Sequence, residues 1–276
     1  MIGRPVVVKF GGELLEQPDR LSTVVGALAR VSRRTPLVVV HGGGKEIDAA
    51  LKDAGIEKRQ VDGLRITDDR TLEVVVGVLA GSINTRLVAA LGAAGVKAVG
   101  LTGADASCGL SEVAPPHRGV DGLTVDLGCV GVPTAAADPT LLRTLLDGGF
   151  VPVVASIGVT AEGRLLNVNA DTFAGRVAER LEARRLVVAG TTAGVLDDRG
   201  ATVAALEPAD IERLIASGTA TAGMIAKLRA CEQALAGGVR DVVIVDGRDA
   251  AALETAALEG APASATRIMQ GLEIRK

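Results

Sequence analysis

Short valine-rich runs recur along this chain and are separated by longer segments with helical periodicity. Several runs carry an aliphatic residue at nearly every position, whereas a sheet with one face in water would alternate apolar and polar residues. Such strands are typical of parallel sheets that helices cover on both faces. We therefore predict an α/β fold, a three-layer sandwich around a mostly parallel open sheet. The predicted strands are 6–10, 36–40, 97–101, 151–156, 186–189 and 242–245, and the predicted helices include 45–54, 72–91, 139–147 and 171–183.

At 276 residues, the chain is long enough for one large domain or two lobes. A second series of strands and helices begins after Arg180 and includes a Thr/Gly-rich segment at 190–194, so we predict two lobes, 1–180 and 181–276. Residues 103–135 interrupt the alternation, and Asp121-Gly122 predicts a hairpin turn there. This segment is either a flap near a site or an insertion without a role.

The amino-acid composition limits the kinds of molecule that this protein is suited to bind. Phe occurs three times and Trp and Tyr are absent, which argues against stacking on nucleic-acid bases. The formal charge of −3, without a dense basic stripe, favours a small-molecule site over nucleic acid or an anionic membrane. Two histidines are too few for a typical zinc cluster, and three scattered cysteines indicate a reducing compartment. Without a signal peptide or an apolar run of roughly 20 residues, the sequence predicts a cytoplasmic protein.

Lys9 stands at the end of the first apolar run and is followed by Gly11 and Gly12. A lysine at the exit of a buried strand needs a negative partner, and two glycines allow backbone N–H groups to approach phosphate oxygens. This spacing predicts an anion site. The alternative is a lysine that extends to solvent beside an ordinary turn.

A second glycine cluster, 42–44, lies between a predicted strand and a predicted helix and follows His41. A glycine turn leading into a helix N-terminus suits anion binding. The cluster matches neither common nucleotide motif, because Val39 and Glu46 break the Walker A pattern and Ile47 breaks GxGxxG. A simple tight turn between strand and helix remains the alternative.

Two further segments place polar side chains at helix starts. Asn167, Asn169 and Asp171 precede a predicted helix, where they serve either as an N-cap or as a group that orients cations and grips a ligand. A helix beginning near Gly223 places Lys227 on or beside its apolar face. Lys227 then either pairs with an anion or extends its ammonium group to solvent.

Eight sequence blocks together resemble the acetylglutamate kinases of the amino acid kinase family. They occur in the same order over essentially the whole chain, which is more specific than any one block alone. We therefore expect the amino acid kinase fold. The blocks are KFGGE at 9–13, VVHGGGKEID at 39–48, VDGLRITDDRTLEVV at 61–75, VLAGSIN at 78–84, VPVVASIGV at 151–159, NVNAD at 167–171, AGVLDD at 193–198 and AGMIAKL at 222–228.

The resemblance implies ATP-dependent phosphorylation of the side-chain carboxylate of N-acetyl-L-glutamate, the second step of arginine biosynthesis. It makes Lys9 and Lys227 the two lysines that stabilise the transition state, one from each lobe, and Asp171 the residue that holds them. A carboxylate nucleophile is already ionised at neutral pH, so catalysis needs alignment and charge stabilisation rather than a strong base. The usual metal is Mg²⁺ held by phosphates and water, with no protein ligand cluster.

The resemblance also assigns binding residues. Arg65 suits a bidentate grip on the α-carboxylate. The substrate residues are Gly43, Gly44, Arg65 and Asn167. The ATP residues are Gly11, Gly12, Thr191, Thr192, Ala193, Gly194, Val195, Leu196, Thr219, Ala220 and Thr221.

Three positions depart from the family pattern. Thr191 replaces a common Asp, Ala104 stands where many members carry a lysine, and Glu13 adds negative charge beside the phosphate site. None of the three removes a residue assigned to chemistry.

Several alternatives stay open. An aminoadipate-type kinase of lysine biosynthesis is the near rival, aspartokinase shares the KFGG start but usually carries regulatory domains, and a catalytically silent amino-acid sensor on the same fold is the different class. Arginine-inhibited relatives carry an extra N-terminal helix that links dimers into a hexamer, whereas eight residues precede Lys9 here. We therefore expect an arginine-insensitive homodimer, and no residue indicates a PII-type regulator.

Overall fold

The computed structural model describes residues 3–119, 122–220 and 222–270. The strands are β1 (Val6–Phe10), β2 (Leu37–His41), β3 (Gln60–Val61), β4 (Leu64–Arg65), β5 (Ala98–Thr102), β6 (Ser111–Val113), β7 (His117–Arg118), β8 (Thr124–Val125), β9 (Val130–Pro133), β10 (Val151–Ala155), β11 (Ile157–Val159), β12 (Leu165–Val168), β13 (Arg185–Gly190), β14 (Ala205–Leu206), β15 (Val242–Asp246) and β16 (Thr266–Ile268). The helices are α1 (Pro18–Ser32), α2 (Gly44–Asp53), α3 (Asp69–Val76), α4 (Asn84–Ala93), α5 (Thr140–Asp147), α6 (Ala170–Arg180), α7 (Pro208–Ala216), α8 (Ala222–Ala236) and α9 (Ala250–Leu258).

A sheet of eight strands forms the middle layer, in the order β14-β16-β15-β13-β1-β2-β10-β5. The six strands from β15 to β5 run parallel, and β16 pairs antiparallel with β15 at the other end. All six strands predicted from the sequence belong to this parallel part. The predicted α/β fold with a mostly parallel sheet is therefore confirmed.

The two faces of the sheet bury separate cores, and alternate residues of each strand enter them. Along β1, Val6, Val8 and Phe10 pack with α1, α4 and α9, whereas Val7 packs with α5, α6 and α8. Since side chains alternate, Lys9 shares the face of Val7 and lies on the side of α6 and α8. By the same rule, His41 at the end of β2 shares the face of Leu37 and Val39, toward α4.

The segment 103–135 lies beside the central sheet and contributes to a second sheet, in the order β11-β12-β9-β6. It also forms the small hairpin β7–β8, closed by a bond from the amide of Gly119 to the carbonyl of Leu123. A hairpin therefore occurs where Asp121-Gly122 predicted one, although Asp121 itself lies outside the described residues. Gly122 has φ +81°, a conformation that favours glycine.

One helix departs from the expectation that no segment is long and apolar enough to span a bilayer. A continuous helix of 25 residues, Asp69–Ala93, contains an 18-residue stretch with a mean hydropathy of 1.8 and is long and apolar enough to cross a membrane, by length and composition only. It joins α3, a π-helical segment (Gly77–Ile83) and α4. Leu79, Ile83, Leu87 and Leu91 are at most 1% exposed in the core. Packing on the central sheet thus accounts for part of the apolar composition, because only 33% of the apolar stretch is buried.

The predicted lobe boundary at residue 180 coincides with the end of α6, at Arg180. The central sheet continues across it, because β13 pairs with β1 along its whole length. The division into lobes stays a prediction.

Candidate active site

Two lysines and one carboxylate meet at the carboxyl end of β1. Lys9 Nζ lies 2.8 Å from Asp171 Oδ1, and Lys227 Nζ donates to the same oxygen at 3.4 Å. The side chains of Lys9, Asp171 and Lys227 are 7%, 10% and 16% exposed. Two ammonium groups against one carboxylate leave one net positive charge in a buried place.

Local structure explains why the three groups converge. Lys9 is the last residue but one of β1, near the edge where parallel strands present their carboxyl ends. Asp171 lies in the first turn of α6, and Lys227 lies in the second turn of α8. Asn169 is the N-cap of α6, since its Oδ1 accepts from the amides of Asp171 and Thr172 at 2.9 and 3.1 Å. The capping role therefore falls to Asn169, which leaves the carboxylate of Asp171 free for the lysines.

The charges in this cluster hold one another in place. Burial alone would raise the pKa of Asp171, but Lys9 and Lys227 outweigh it, so the pKa lies below its usual value and the carboxylate stays ionised. Burial lowers the pKa of Lys9, Asp171 opposes this shift, and Lys227 adds to it. Glu13 is a further group that favours the charged form of Lys9. This gives the negative charge at position 13 a physical role.

Two glycine loops approach each other beside the cluster. Gly12 begins a short 3₁₀-helix (Gly12–Leu14), and Gly44 begins α2. A Cβ at Gly12 would lie 2.8 Å from the Cα of Gly43, so no larger residue fits there. Among the described residues, no acceptor bonds the amides of Gly43 or Gly44. Unpaired N–H groups at a helix N-terminus are suited to anion binding, and the anion site expected from the sequence stays a prediction.

The loops line one cleft of about 260 Å³ together with Lys9 and Asp171. Lys227 contacts Asp171 from α8 but does not itself line this cleft. The cleft brings together the predicted residues Lys9, Gly11, Gly12, Gly43, Gly44, Arg65, Asn167 and Asp171. It also includes residues that sequence reasoning did not assign, among them Ile47, Gly63, Leu64, Leu79, Val130 and Ser156. Apolar side chains that line a ligand site carry the same sequence signal as core residues, so the sequence offered no way to separate them.

Arg65 is held by the protein on one side of its guanidinium. Nη2 donates to the carboxylate of Asp48 and, at 3.4 Å, to the carbonyl of Gly44, whereas the buried Nη1 has no protein partner. Lys58 donates to the other oxygen of Asp48 at 2.8 Å. Arg65 is therefore fixed in direction and keeps free donors beside the cleft. Asp48, which sequence reasoning missed, positions it.

The hairpin β3–β4 that carries Arg65 is tied to the segment 103–135. Its two-residue turn, Asp62-Gly63, has φ +46° and +79°, as a type I′ hairpin turn requires. His117 of β7 contacts Asp62 at 2.8 Å between Nε2 and Oδ2. Val130 of the same segment lines the cleft. Of the two sequence interpretations, a flap near a site fits this placement.

Asn167 lies on β12 and lines the cleft. Its Nδ2 donates to Thr67 Oγ1 at 3.1 Å, which fixes the side-chain amide. Thr67 is 0% exposed and was not identified from the sequence.

A second pocket, of about 190 Å³, lies in the C-terminal part of the chain and is mainly apolar. Its predicted members are Thr192, Gly194, Val195, Leu196, Thr219 and Ala220, and Leu214 and Met224 are additional. Thr191 and Ala193 do not line it, and Thr221 lies outside the described residues. Gly194 has φ +72°, and a Cβ there would lie 2.4 Å from Thr266 Oγ1. That close contact explains the glycine in the loop.

Two of the three departures from the family pattern take no part in either pocket. Thr191 is half-buried beside the loop, and Ala104 lies in the turn after β5, where its amide donates to Thr102 Oγ1 at 3.2 Å. Across residues 3–119, 122–220 and 222–270, no group of three or more His, Cys, Asp or Glu side chains could hold a metal ion.

Comparison with known proteins agrees with the fold and the motifs. The amino acid kinase family model matches residues 4–246. An acetylglutamate kinase from Sphingopyxis alaskensis is 44% identical over 255 residues, 89% of this chain and 83% of that protein. One from Methanopyrus kandleri is 42% identical over 87% of this chain and 94% of that protein. The structure of N-acetylglutamate synthase from Neisseria gonorrhoeae shares the fold, with a TM-score of 0.81 at 24% identity over 98% of this chain and 60% of that chain. The chain belongs to the amino acid kinase family.

Proposed function

We propose that this protein transfers the γ-phosphoryl group of ATP to the side-chain carboxylate of N-acetyl-L-glutamate, the second step of arginine biosynthesis. The observation that carries the proposal is the contact of Lys9 and Lys227 with one oxygen of Asp171, beside a cleft with unpaired backbone N–H groups. Identity of 44% and 42% to acetylglutamate kinases supports the choice of substrate.

The lysines stabilise charge that moves during the transfer. The attacking carboxylate is ionised at neutral pH, so the protein has to align it and neutralise the transferring phosphoryl group. Lys9 approaches the phosphoryl group from the carboxyl end of β1, and Lys227 approaches it from α8. Asp171 holds both ammonium groups in position before substrate arrives. Preorganised charge in a buried site lowers the barrier because it needs no rearrangement during the reaction.

The acid substrate is bound by groups around the glycine loops. Nη1 of Arg65, which has no protein partner, donates to the α-carboxylate. The amides of Gly43 and Gly44 and the side chain of Asn167 hold the remaining polar atoms. These interactions aim the side-chain carboxylate of the substrate at the lysine pair.

The nucleotide is bound by Gly11 and Gly12 at its phosphates and by the apolar C-terminal pocket at its base. Thr191, Ala193 and Thr221 are proposed to complete this site. When bound, Mg²⁺ would neutralise phosphate charge, and because no described group of acidic or histidine side chains suits a metal ion, phosphates and water would hold it.

The protein is further proposed to act as a cytoplasmic homodimer, with residues 1–180 binding the acid and forming the dimer and residues 181–276 binding ATP. The edge strand β5 supports the dimer, because its Val99 and Leu101 are half-buried and Gly100 is exposed at the end of the sheet. In the neighbouring helix Asp69–Ala93, only 33% of the most apolar stretch is buried. An unpaired strand edge beside apolar surface is suited to pairing with a second copy. The three cysteines are free and buried, which fits a reducing compartment.

A hydroxamate assay tests the reaction directly. The enzyme with ATP and N-acetylglutamate should form an acyl phosphate that hydroxylamine traps, and omission of the acid is the control. Product from an aminoadipate-type substrate, with none from N-acetylglutamate, would assign the chain to the lysine-biosynthesis alternative. No product with any acid, together with ligand binding by calorimetry, would indicate an amino-acid sensor.

A further inference from the structure

His41, which begins the second glycine loop, has no assigned role and does not line the cleft. It is 0% exposed at the end of β2. Most buried polar atoms have hydrogen-bond partners, because an unpaired one costs free energy. The contacts of His41 therefore indicate what the residue does.

The tautomer of His41 follows from its neighbour Asn84. Nδ2 of Asn84 lies 2.9 Å from the carbonyl oxygen of Val153 and 3.0 Å from Nε2 of His41. A carbonyl oxygen only accepts, so the side-chain atom facing it is the amide nitrogen, and this nitrogen also donates to His41. Nε2 must then accept, and the single proton of the neutral ring lies on Nδ1.

The proton on Nδ1 fixes the glycine loop. Nδ1 lies 3.3 Å from the carbonyl oxygen of Gly42, to which it donates, and the amide of Gly42 donates to the carbonyl of Phe10 at 3.2 Å. Both peptides of Gly42 are thereby held. Because a trans peptide directs its C=O and the following N–H to opposite sides, a carbonyl turned toward His41 directs the amide of Gly43 away from it. Gly43 lines the cleft.

The surrounding structure accommodates this network. Asn84 directly follows the π-helical segment Gly77–Ile83, and it is 5% exposed. Its carboxamide occupies space that a side chain at position 100 would fill, because a Cβ at Gly100 would lie 2.1 Å from Asn84 Oδ1. π-helical segments inside longer helices are frequent at functional sites.

We propose that His41 is a positioning residue of the phosphoryl-transfer site, and that it holds the amide of Gly43 toward the acid substrate while Asn84 sets its tautomer. The inference rests on the proposed function. It assigns to His41 a role in substrate affinity that a merely structural core residue would not have.

A matched pair of variants separates the two contacts of the ring. In His41→Asn, the side-chain amide reaches the position of Nδ1 and can still donate to Gly42. In His41→Gln, it reaches the position of Nε2, which keeps the contact with Asn84 and loses the one with Gly42. We expect His41→Gln to raise KM for N-acetylglutamate by about tenfold, and His41→Asn to stay within about threefold of wild type. KM for ATP should change little in either variant.

Equal KM values for the acid substrate in the two variants, or equal changes in KM for both substrates, would overturn the inference. Nitrogen-15 NMR of the wild-type protein gives a test that does not depend on how the variants fold. The chain has two histidines, so His117→Gln identifies the signals of His41. We expect a neutral ring with the proton on Nδ1, and a proton on Nε2 would contradict the proposal.

The proposed function and the positioning role of His41 would be rejected by different results. If wild-type enzyme does not phosphorylate N-acetylglutamate, the proposed function fails, whatever the NMR result. If the wild type is active but the variants show no difference in KM for the acid, the positioning role fails and the function stands.

Discussion

Asp171 is the residue on which the charged cluster depends. Its carboxylate contacts both lysines, and all three groups are nearly removed from water. Removing one member of a buried ion cluster leaves an uncompensated charge, which costs more than the pair itself contributes. The position of the two lysines therefore depends on the ionised carboxylate of Asp171.

Replacing either lysine should affect the rate more than binding. We expect Lys9→Ala and Lys227→Ala to lower kcat by at least about 10²-fold, because each removes charge that stabilises the transferring phosphoryl group. Steady-state kinetics with the hydroxamate assay measures this. Lys52→Ala, an exposed lysine at the far end of α2, is the matched control. A near-normal kcat in either active-site variant would show that the lysine has a different role.

His41 should make stability depend on pH. Burial, the largest cause, lowers its pKa from 6.5 to about 4, the bond to Gly42 opposes this shift, and Arg86 is the charged group that adds to it. The folded state therefore favours the neutral ring, so its contribution to stability is complete above pH 6.5 and is lost as the pH falls toward 4. The loss is about 3 kcal/mol in the free energy of unfolding.

Urea titrations between pH 7 and pH 4.5 measure this contribution. Carboxylates also destabilise the fold in acid, so the informative quantity is the difference between wild type and His41→Asn, which has no ring to titrate. The variant should lose less stability over this range. Parallel curves for the two proteins would refute the assignment.

At the scale of secondary structure elements, the long helix Asp69–Ala93 packs against the second glycine loop and restricts its conformation. Ile83 and Leu79 pack so closely on the loop that a Cβ at Gly43 would lie 2.1 and 2.9 Å from their terminal carbons. The helix thus places both apolar side chains against Gly43 and Asn84 against His41. The conformation of the glycine loop therefore depends on the long helix as well as on the loop's own residues.

Alanine at one of two neighbouring glycines should destabilise the fold, whereas alanine at the other should have little effect. Gly43→Ala forces buried side chains apart and should destabilise the fold by about 1–3 kcal/mol. A Cβ at Gly44 meets nothing within 4 Å, so Gly44→Ala should leave the free energy of unfolding nearly unchanged. Chemical denaturation measures both. Adding Ile83→Val to Gly43→Ala should restore part of the loss, and absence of any rescue would argue against the clash.

The predictability of elements depended on their length. All six strands of the parallel part were located to within a residue or two, because each is a continuous apolar run covered on both faces. The sequence analysis did not locate the short strands β3, β4, β6, β9, β11, β12, β14 and β16, since two to four residues are too few for periodicity to show, and of β7–β8 it predicted only the turn. The hairpin β3–β4, which carries Arg65, is one of these.

At the scale of the whole molecule, the open edge of the sheet predicts self-association. Light scattering should give a mass of about twice 27.9 kDa. Gly81→Arg places a charge on the exposed side of the long apolar helix and should shift the protein toward monomer, whereas Lys52→Glu on α2 should not. A monomeric wild type would refute the dimer, and a hexamer would contradict the assembly expected from the sequence.

The sequence by itself determined the parallel α/β fold, the glycine loops and the identity of the charged residues, since apolar runs and glycine turns are local patterns. Eight motifs in order also assigned the family. Only the tertiary structure decided which groups meet. Lys227 and Asp171 are 56 residues apart and Asn84 and His41 are 43 apart, and no local periodicity encodes such contacts. The shared oxygen of Asp171 and the tautomer of His41 arise because buried polar groups must find partners wherever the packed elements place them, whereas the buried Nη1 of Arg65 is left without a protein partner.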